Sequence, residues 1–309
     1  MFGFIIRRIL WAIPVLLAIS MISFSLMHAV PGNPFDQNPD KPLPETIVER
    51  LTEFYRLDDP IPKQYIDYMW NAVRGDLGPS YAYRNRSVNE IIVKHFPISL
   101  VLGLLGLGIS LVIGIPLGIV SALKQNTVVD YFAMFFAISG VSVPAMTLGP
   151  FLIWLFALQL GILPVARWGS WQQTILPMIT LGVGGAAILA RLTRASMLQV
   201  IREDYIRTAR AKGVSERQVT IKHALRNALV PVVTVLGPML AGMMTGSMIV
   251  ERIFAIPGLG KFYVESVGGR DYPVIMGLTL FYAVLLVTAN LVVDITYSWI
   301  DPRIRIEER

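Results

Sequence analysis

Six stretches of this 309-residue chain contain no Lys, Arg, Asp or Glu: residues 9–35, 95–123, 131–166, 168–190, 227–250 and 272–293. Each is longer than the roughly 20 residues an α-helix needs to cross a hydrocarbon layer about 30 Å thick. Backbone polar groups in such a layer find no water, so each stretch must bond them internally as a helix. The whole chain agrees, with 54% hydrophobic residues, 16% charged residues and a mean hydropathy of +0.58. A soluble domain carries about 25% charged residues. The pattern excludes an ordinary soluble enzyme, a disulfide-stapled secreted scaffold and a disordered tail. It predicts an all-α polytopic membrane protein with six transmembrane helices.

The spans punctuate the chain. Residues 1–30 hold a short N-tail with Arg7 and Arg8, then a first span over Leu10–Val30. Its apolar run is longer than the ~7–15 residues of a signal peptide, and no Ala-x-Ala site closes it. Residues 31–97 form one polar segment with eight Lys/Arg against ten Asp/Glu, expected to be a small helical extracytoplasmic cap. Residues 98–309 supply five more spans: Ile98–Leu123, Tyr131–Leu160, Thr174–Ala190, Leu229–Val250 and Val274–Val293. Pro144 falls inside the third and is expected to kink it, a possible hinge. The glycines of 103–118 and 182–185 are expected to let helices approach closely.

Charge sets the topology. Residues 191–226 carry nine Lys/Arg against Glu203, Asp204 and Glu216, a surplus of six equal to that of the whole chain. Arg303, Arg305 and Arg309 follow the last span, whereas 251–271 is balanced at three against three. The excess of basic residues on one side places that loop and both termini in the cytoplasm. The basic pI of 9.6 is therefore membrane topology, and no nucleic-acid partner is expected. With no Cys and three scattered His, no residue is assigned a catalytic, cofactor-binding or metal-ligating role.

The segment 191–228 is long for a simple connection, and its grammar is specific. Glu203–Lys212 is compatible with a helix, and Gly213 supplies a left-handed stop. Ser215 with Gln218 reads as a capping box for a second helix through Val219, Ile221 and Leu225. Pro231 then opens the fifth span. A paired helix of this kind has little core of its own and a large exposed face, which suits docking on a partner. Further on, Pro257-Gly258-Leu259-Gly260 is expected to turn sharply between two spans.

The run Asp204-Tyr-Ile-Arg-Thr-Ala-Arg-Ala-Lys-Gly213, followed by His223-Ala-Leu-Arg-Asn-Ala-Leu-Val-Pro231, resembles the cytoplasmic "EAA" loop of ABC-importer permeases. More narrowly, the chain is similar to permeases of the dipeptide, oligopeptide and nickel importers. Pro31-Gly-Asn-Pro34, Gly75-Asp-Leu-Gly78-Pro-Ser80, Ser142-Val-Pro144, Glu251-Arg-Ile-Phe254 through Gly260, and Asp301-Pro-Arg303 match in order. It departs at the Glu-Ala-Ala positions, which hold Arg207, Thr208 and Ala209, and in a longer spacing from Gly213 to Pro231.

That resemblance implies a type I permease fold in the prokaryotic inner membrane, importing di- or oligopeptides, with nickel or another small solute as the alternative. It implies a second homologous permease, two ATPase subunits holding ATP and Mg, and an extracytoplasmic solute-binding protein. Glu203, Asp204, Tyr205, Arg207, Thr208, Ala209, Lys212 and Gly213 would form the ATPase-coupling loop. Pro257, Gly258 and Gly260 would form an extracytoplasmic gate or contact. No Gly-x-x-x-x-Gly-Lys-Ser/Thr phosphate loop occurs; Ala255-Ile-Pro-Gly-Leu-Gly-Lys-Phe262 lacks the first Gly and the hydroxyl. The subunit is thus expected to be no enzyme. A secondary transporter is disfavoured because the span centres hold no ionisable residue.

Overall fold

A computed structural model describes residues 2–30, 34–35, 43–83 and 85–300. Pro31, Gly32, Asn33, Asp301-Pro-Arg303 and the tail arginines lie outside the described residues, as does the side chain of Asp294. What is described is helical, without a strand: α1 (Phe2–Ala29), α2 (Glu45–Phe54), α3 (Ile61–Val73), α4 (Val88–Leu123) and α5 (Val128–Ser142). After these come α6 (Ala145–Gln159), α7 (Trp171–Val200), α8 (Asp204–Ala211) and α9 (Glu216–Ala228). The chain closes with α10 (Val230–Ile253), α11 (Leu259–Gly268) and α12 (Tyr272–Ile300).

Four helices, α1, α4, α7 and α12, are each long and apolar enough to cross a membrane. By length and composition, up to six spans result if the bent pairs α5–α6 and α9–α10 each count as one, the apolar limb of the second pair being α10. The third expected span is therefore not one kinked helix. Its halves meet at 104°. Pro144 offers no N–H, and the residue before a proline is driven out of the helical region; Val143 is extended at φ −92°, ψ 111°. The fourth span is longer than its apolar run. α7 continues through Arg191 and Arg194 to Val200, because a charged side chain that finds a partner does not stop a helix.

The chain forms two compact units. One combines the part before Ser99 with Gly258–Val287. Phe24, Met27 and Met276 are its core, flanked by Tyr65, Tyr68 and Tyr272. The second expected motif of the cap is anchored here by Asp271, which is fully buried. Its carboxylate accepts from the Ser80 hydroxyl and from the backbone N–H groups of Tyr81 and Ala82, both at 3.1 Å. Burial, and after it the Asp271 charge, push the Tyr81 hydroxyl well above its ordinary value, so it stays neutral. A cavity of about 450 Å³ lies in this unit, lined by His28, Tyr55, Tyr68, Trp70, Tyr81 and Tyr272 among others.

The other unit combines Ser99–Pro257 with the part from Thr288 onward. The expected close approach is here: a Cβ on Gly114 would stand 2.5 Å from the Ala186 carbonyl oxygen, and one on Gly118 at 2.5 Å from that of Ala190. α4 and α7 thus cross backbone to backbone, and the Ser110 hydroxyl donates across the crossing to the Gly182 carbonyl at 2.8 Å. α5 joins α7 through Ala137, Ala187 and Ala190.

Candidate functional site

The residues singled out between Glu203 and Gly213 form one helical hairpin with its partner helix α9. In α8, Ile206 and Ala209 are three apart and share a face. That face is buried with Val219, Ala224 and Ala228 of α9, Met197 of α7 and Ala122 of α4. The hairpin therefore sits on a platform made by the ends of α4 and α7. Its other face is open. Glu203, Asp204, Arg207, Thr208 and Lys212 are exposed, with 97% of the Asp204 side chain and 74% of the Arg207 side chain accessible. Ala209 alone of the named set turns inward, so it packs the hairpin and presents nothing outward.

Gly213 stands at φ +76°, the left-handed conformation expected for the stop. Its N–H donates to the Arg210 carbonyl at 2.9 Å. A Cβ there would meet nothing within 4 Å, so the need for glycine is conformational and not steric. Two ties close the turn that the sequence reading did not single out. Arg210 forks onto Glu216 at 2.7 and 3.2 Å, and the Asn227 amide donates to the Tyr205 hydroxyl at 2.8 Å. Opposite charges flanking Gly213 were the available signal for the first. Tyr205 is thus a tie within the hairpin as well as part of its rim.

The capping box is not formed. Ser215 holds the N-cap position, yet its side chain makes no capping bond. Only Glu216–Gln218 wind as an α-helix before the chain opens to π-helical width over Val219–Ala224. A π-helical turn takes up one residue more than an α-turn, and such turns recur at functional sites. It coincides with the long Gly213–Pro231 spacing. α9 then meets α10 at 50°, with Pro231 in the first turn of α10.

The second named set is Pro257, Gly258 and Gly260, and Pro257 is the last residue of its stretch in one unit while Gly258 begins the next stretch in the other. The turn falls earlier than expected. α10 ends at Ile253, and Ala255, not a glycine, takes the left-handed conformation at φ +51°. The Ile256 N–H reaches back to the Glu251 carbonyl at 2.8 Å and that of Ala255 to Arg252 at 3.4 Å, the paired bonds of a Schellman stop. Gly258 caps α11, and Gly260 is inside it. Just before the stop, Glu251 is buried and accepts the hydroxyls of Ser99 and Ser247 at 2.7 and 2.6 Å. Pro144, the possible hinge, caps α6 at the 104° break. Among the described residues no three His, Asp or Glu side chains converge to hold a metal ion.

Comparison with known proteins places this architecture. The family model described as "Binding-protein-dependent transport system inner membrane component" matches residues 114–306, and its N-terminal companion matches residues 1–103. The chain belongs to this family. It is a multi-pass inner-membrane protein and a permease by descent. It is 45% identical over 307 residues to the dipeptide transport system permease protein DppB of Bacillus subtilis, covering 99% of both chains. It is 40% identical to the oligopeptide permease protein OppB of Salmonella typhimurium, covering 99% of this chain and 100% of the relative. The glutathione permease protein GsiC of Shigella flexneri is 42% identical, with 99% of each covered. A chain of the inward-facing MetNI methionine ABC transporter superposes with a TM-score of 0.58 at 18% identity, over 68% of this chain and 96% of its own. That likeness gives the fold, the type I ABC-importer permease fold that the motifs implied.

Proposed function

We propose that this chain is the permease subunit of an ATP-driven, binding-protein-dependent importer of di- and oligopeptides. It forms half of the translocation pathway with a second, homologous permease. Two ATPase subunits, which hold the ATP and Mg, drive the pair, and an extracytoplasmic binding protein delivers the peptide. Both termini and the hairpin 204–228 face the cytoplasm. The relatives' dipeptide and oligopeptide names support the substrate class.

The observation that carries the coupling role is the two-faced hairpin. Ile206 and Ala209 weld it to the ends of α4 and α7, while Asp204, Arg207, Thr208 and Lys212 are exposed on the other side. A partner that seats on the exposed face and closes on ATP moves the helices through the welded face. Pro257, Gly258 and Gly260 are the proposed extracytoplasmic gate or contact, and the 45–97 part of the cap is proposed to meet the binding protein.

The test uses the one turn on which the hairpin depends. A β-branched residue at φ +76° is strained by roughly 1–2 kcal/mol, whereas Asn tolerates that region. Gly213→Val should therefore assemble in the membrane, leave binding-protein affinity unchanged and lower ATP-driven peptide uptake at least tenfold. Gly213→Asn should stay within a few fold of wild type. Uptake into vesicles, with co-purification of the ATPases, reads both. Wild-type uptake by Gly213→Val would show that this turn transmits nothing.

A further inference from the structure

Asp130 opens α5 and is 2% exposed, although the sequence places it in a short polar loop. The Arg194 guanidinium of α7 grips it in the two-pronged manner, Nε to Oδ1 at 2.8 Å and a terminal nitrogen to Oδ2 at 2.7 Å. The Ser121 hydroxyl of α4 donates to the same carboxylate, as does the Asn126 N–H at 3.0 Å. One buried carboxylate thereby joins three helices. The neighbours of these residues matter as much. Ala122, next to Ser121, and Met197, one turn beyond Arg194, belong to the platform under the hairpin. The remaining buried side chains of α5 are the alanines 133 and 137, which pack but do not grip.

We propose that the Asp130–Arg194 pair is a positioning element of the coupling path. It fastens the start of α5 to the platform, so that a push on the hairpin moves α5 together with the platform. The inference rests on the hairpin being the coupling element. A forked, buried pair suits this use because Arg and carboxylate fix distance and angle together. Alanine packing alone lets one helix slide past the other.

The experiment reconstitutes the permease pair with its ATPases and binding protein in liposomes and measures peptide taken up per ATP hydrolysed. Asp130→Asn and Arg194→Gln should assemble and hydrolyse ATP, but move at least fivefold less peptide per ATP. Arg194→Lys, which keeps the charge and loses the fork, should fall between. The chain has no cysteine, so Asp130→Cys with Arg194→Cys can be bridged by a short bifunctional thiosulfonate and released by reductant. Bridging should restore peptide per ATP to within twofold of wild type, and reduction should remove it again. This arm compares one folded protein with itself. Unchanged peptide per ATP in the single variants overturns the proposal. So does a bridged protein that stays uncoupled or is blocked, or one that fails to assemble when bridged. Gly213→Val is run alongside. If it uncouples while the pair variants do not, the hairpin reading stands and the clamp falls; if it stays coupled, both fall.

Discussion

Asp271 shows what one buried charge does when each of its neighbours is a donor. It sits in the turn before α12 and takes the Ser80 hydroxyl and two backbone N–H groups from a segment 190 residues earlier. Removing the carboxylate leaves the buried Ser80 hydroxyl and two half-buried N–H groups without this acceptor, a cost of roughly 3 kcal/mol. Asp271→Ala should accordingly lower the thermal midpoint of the purified protein by several degrees, and Asp271→Asn, whose amide oxygen still accepts, by less. Melting in detergent checks it; an unchanged midpoint in Asp271→Ala would mean that the cap is not held at this point. Glu251 follows the same chemistry in the other unit, with Ser99 and Ser247 as its donors. Gly213 is the opposite case: its value lies in backbone freedom, with no atom near enough to crowd a side chain.

At the scale of helices, the unit that carries the hairpin is organised by close crossings of small residues and by breaks at definite points. The α4–α7 crossing leaves no room for a side chain at Gly114, where a Cβ would meet a backbone carbonyl and the Leu189 side chain at 2.9 Å. A carbonyl held in a helix cannot step aside, so Gly114→Ala should destabilise by about 1–3 kcal/mol. Gly108, on the same helix, faces open space. Gly108→Ala should melt at or slightly above the wild-type temperature. Equal melting of the two variants would show that the crossing is looser than drawn. The breaks have separate causes. Proline ends α5 at Val143, a left-handed alanine ends α10, and a π-helical turn absorbs the extra residue of α9.

For the whole molecule, the charge asymmetry becomes an orientation that labelling can read. Pro60, Gln125, Lys212 and Lys261 are all exposed in the fold, so single cysteines there are accessible on whichever side they lie. If both termini face the cytoplasm, as proposed, an impermeant thiol reagent added to intact cells should label Pro60→Cys and Lys261→Cys. Gln125→Cys and Lys212→Cys should be labelled only after the membrane is opened. Protection of Pro60→Cys would invert the cap. Position 261 is preferable to its neighbour Phe262, which is buried.

The sequence by itself determined the class of the molecule. Charge-free runs longer than a bilayer is thick can fold only as helices, whatever surrounds them. It also determined the hairpin, because a glycine stop between two short amphipathic helices is a local property, and the ordered motifs named the family. Tertiary structure decided what depends on partners distant in the chain. Arg194 reads as the end of a span until Asp130, 64 residues earlier, takes its charge and lets α7 run on to Val200. Ser80 reads as one letter of a loop motif until Asp271 reaches it. Ala209 and Arg207 are near neighbours in one motif, yet only packing on Met197 and Val219 shows which faces inward. A buried charge is tolerated only beside its partner, and a one-dimensional pattern cannot say where in space that partner will be.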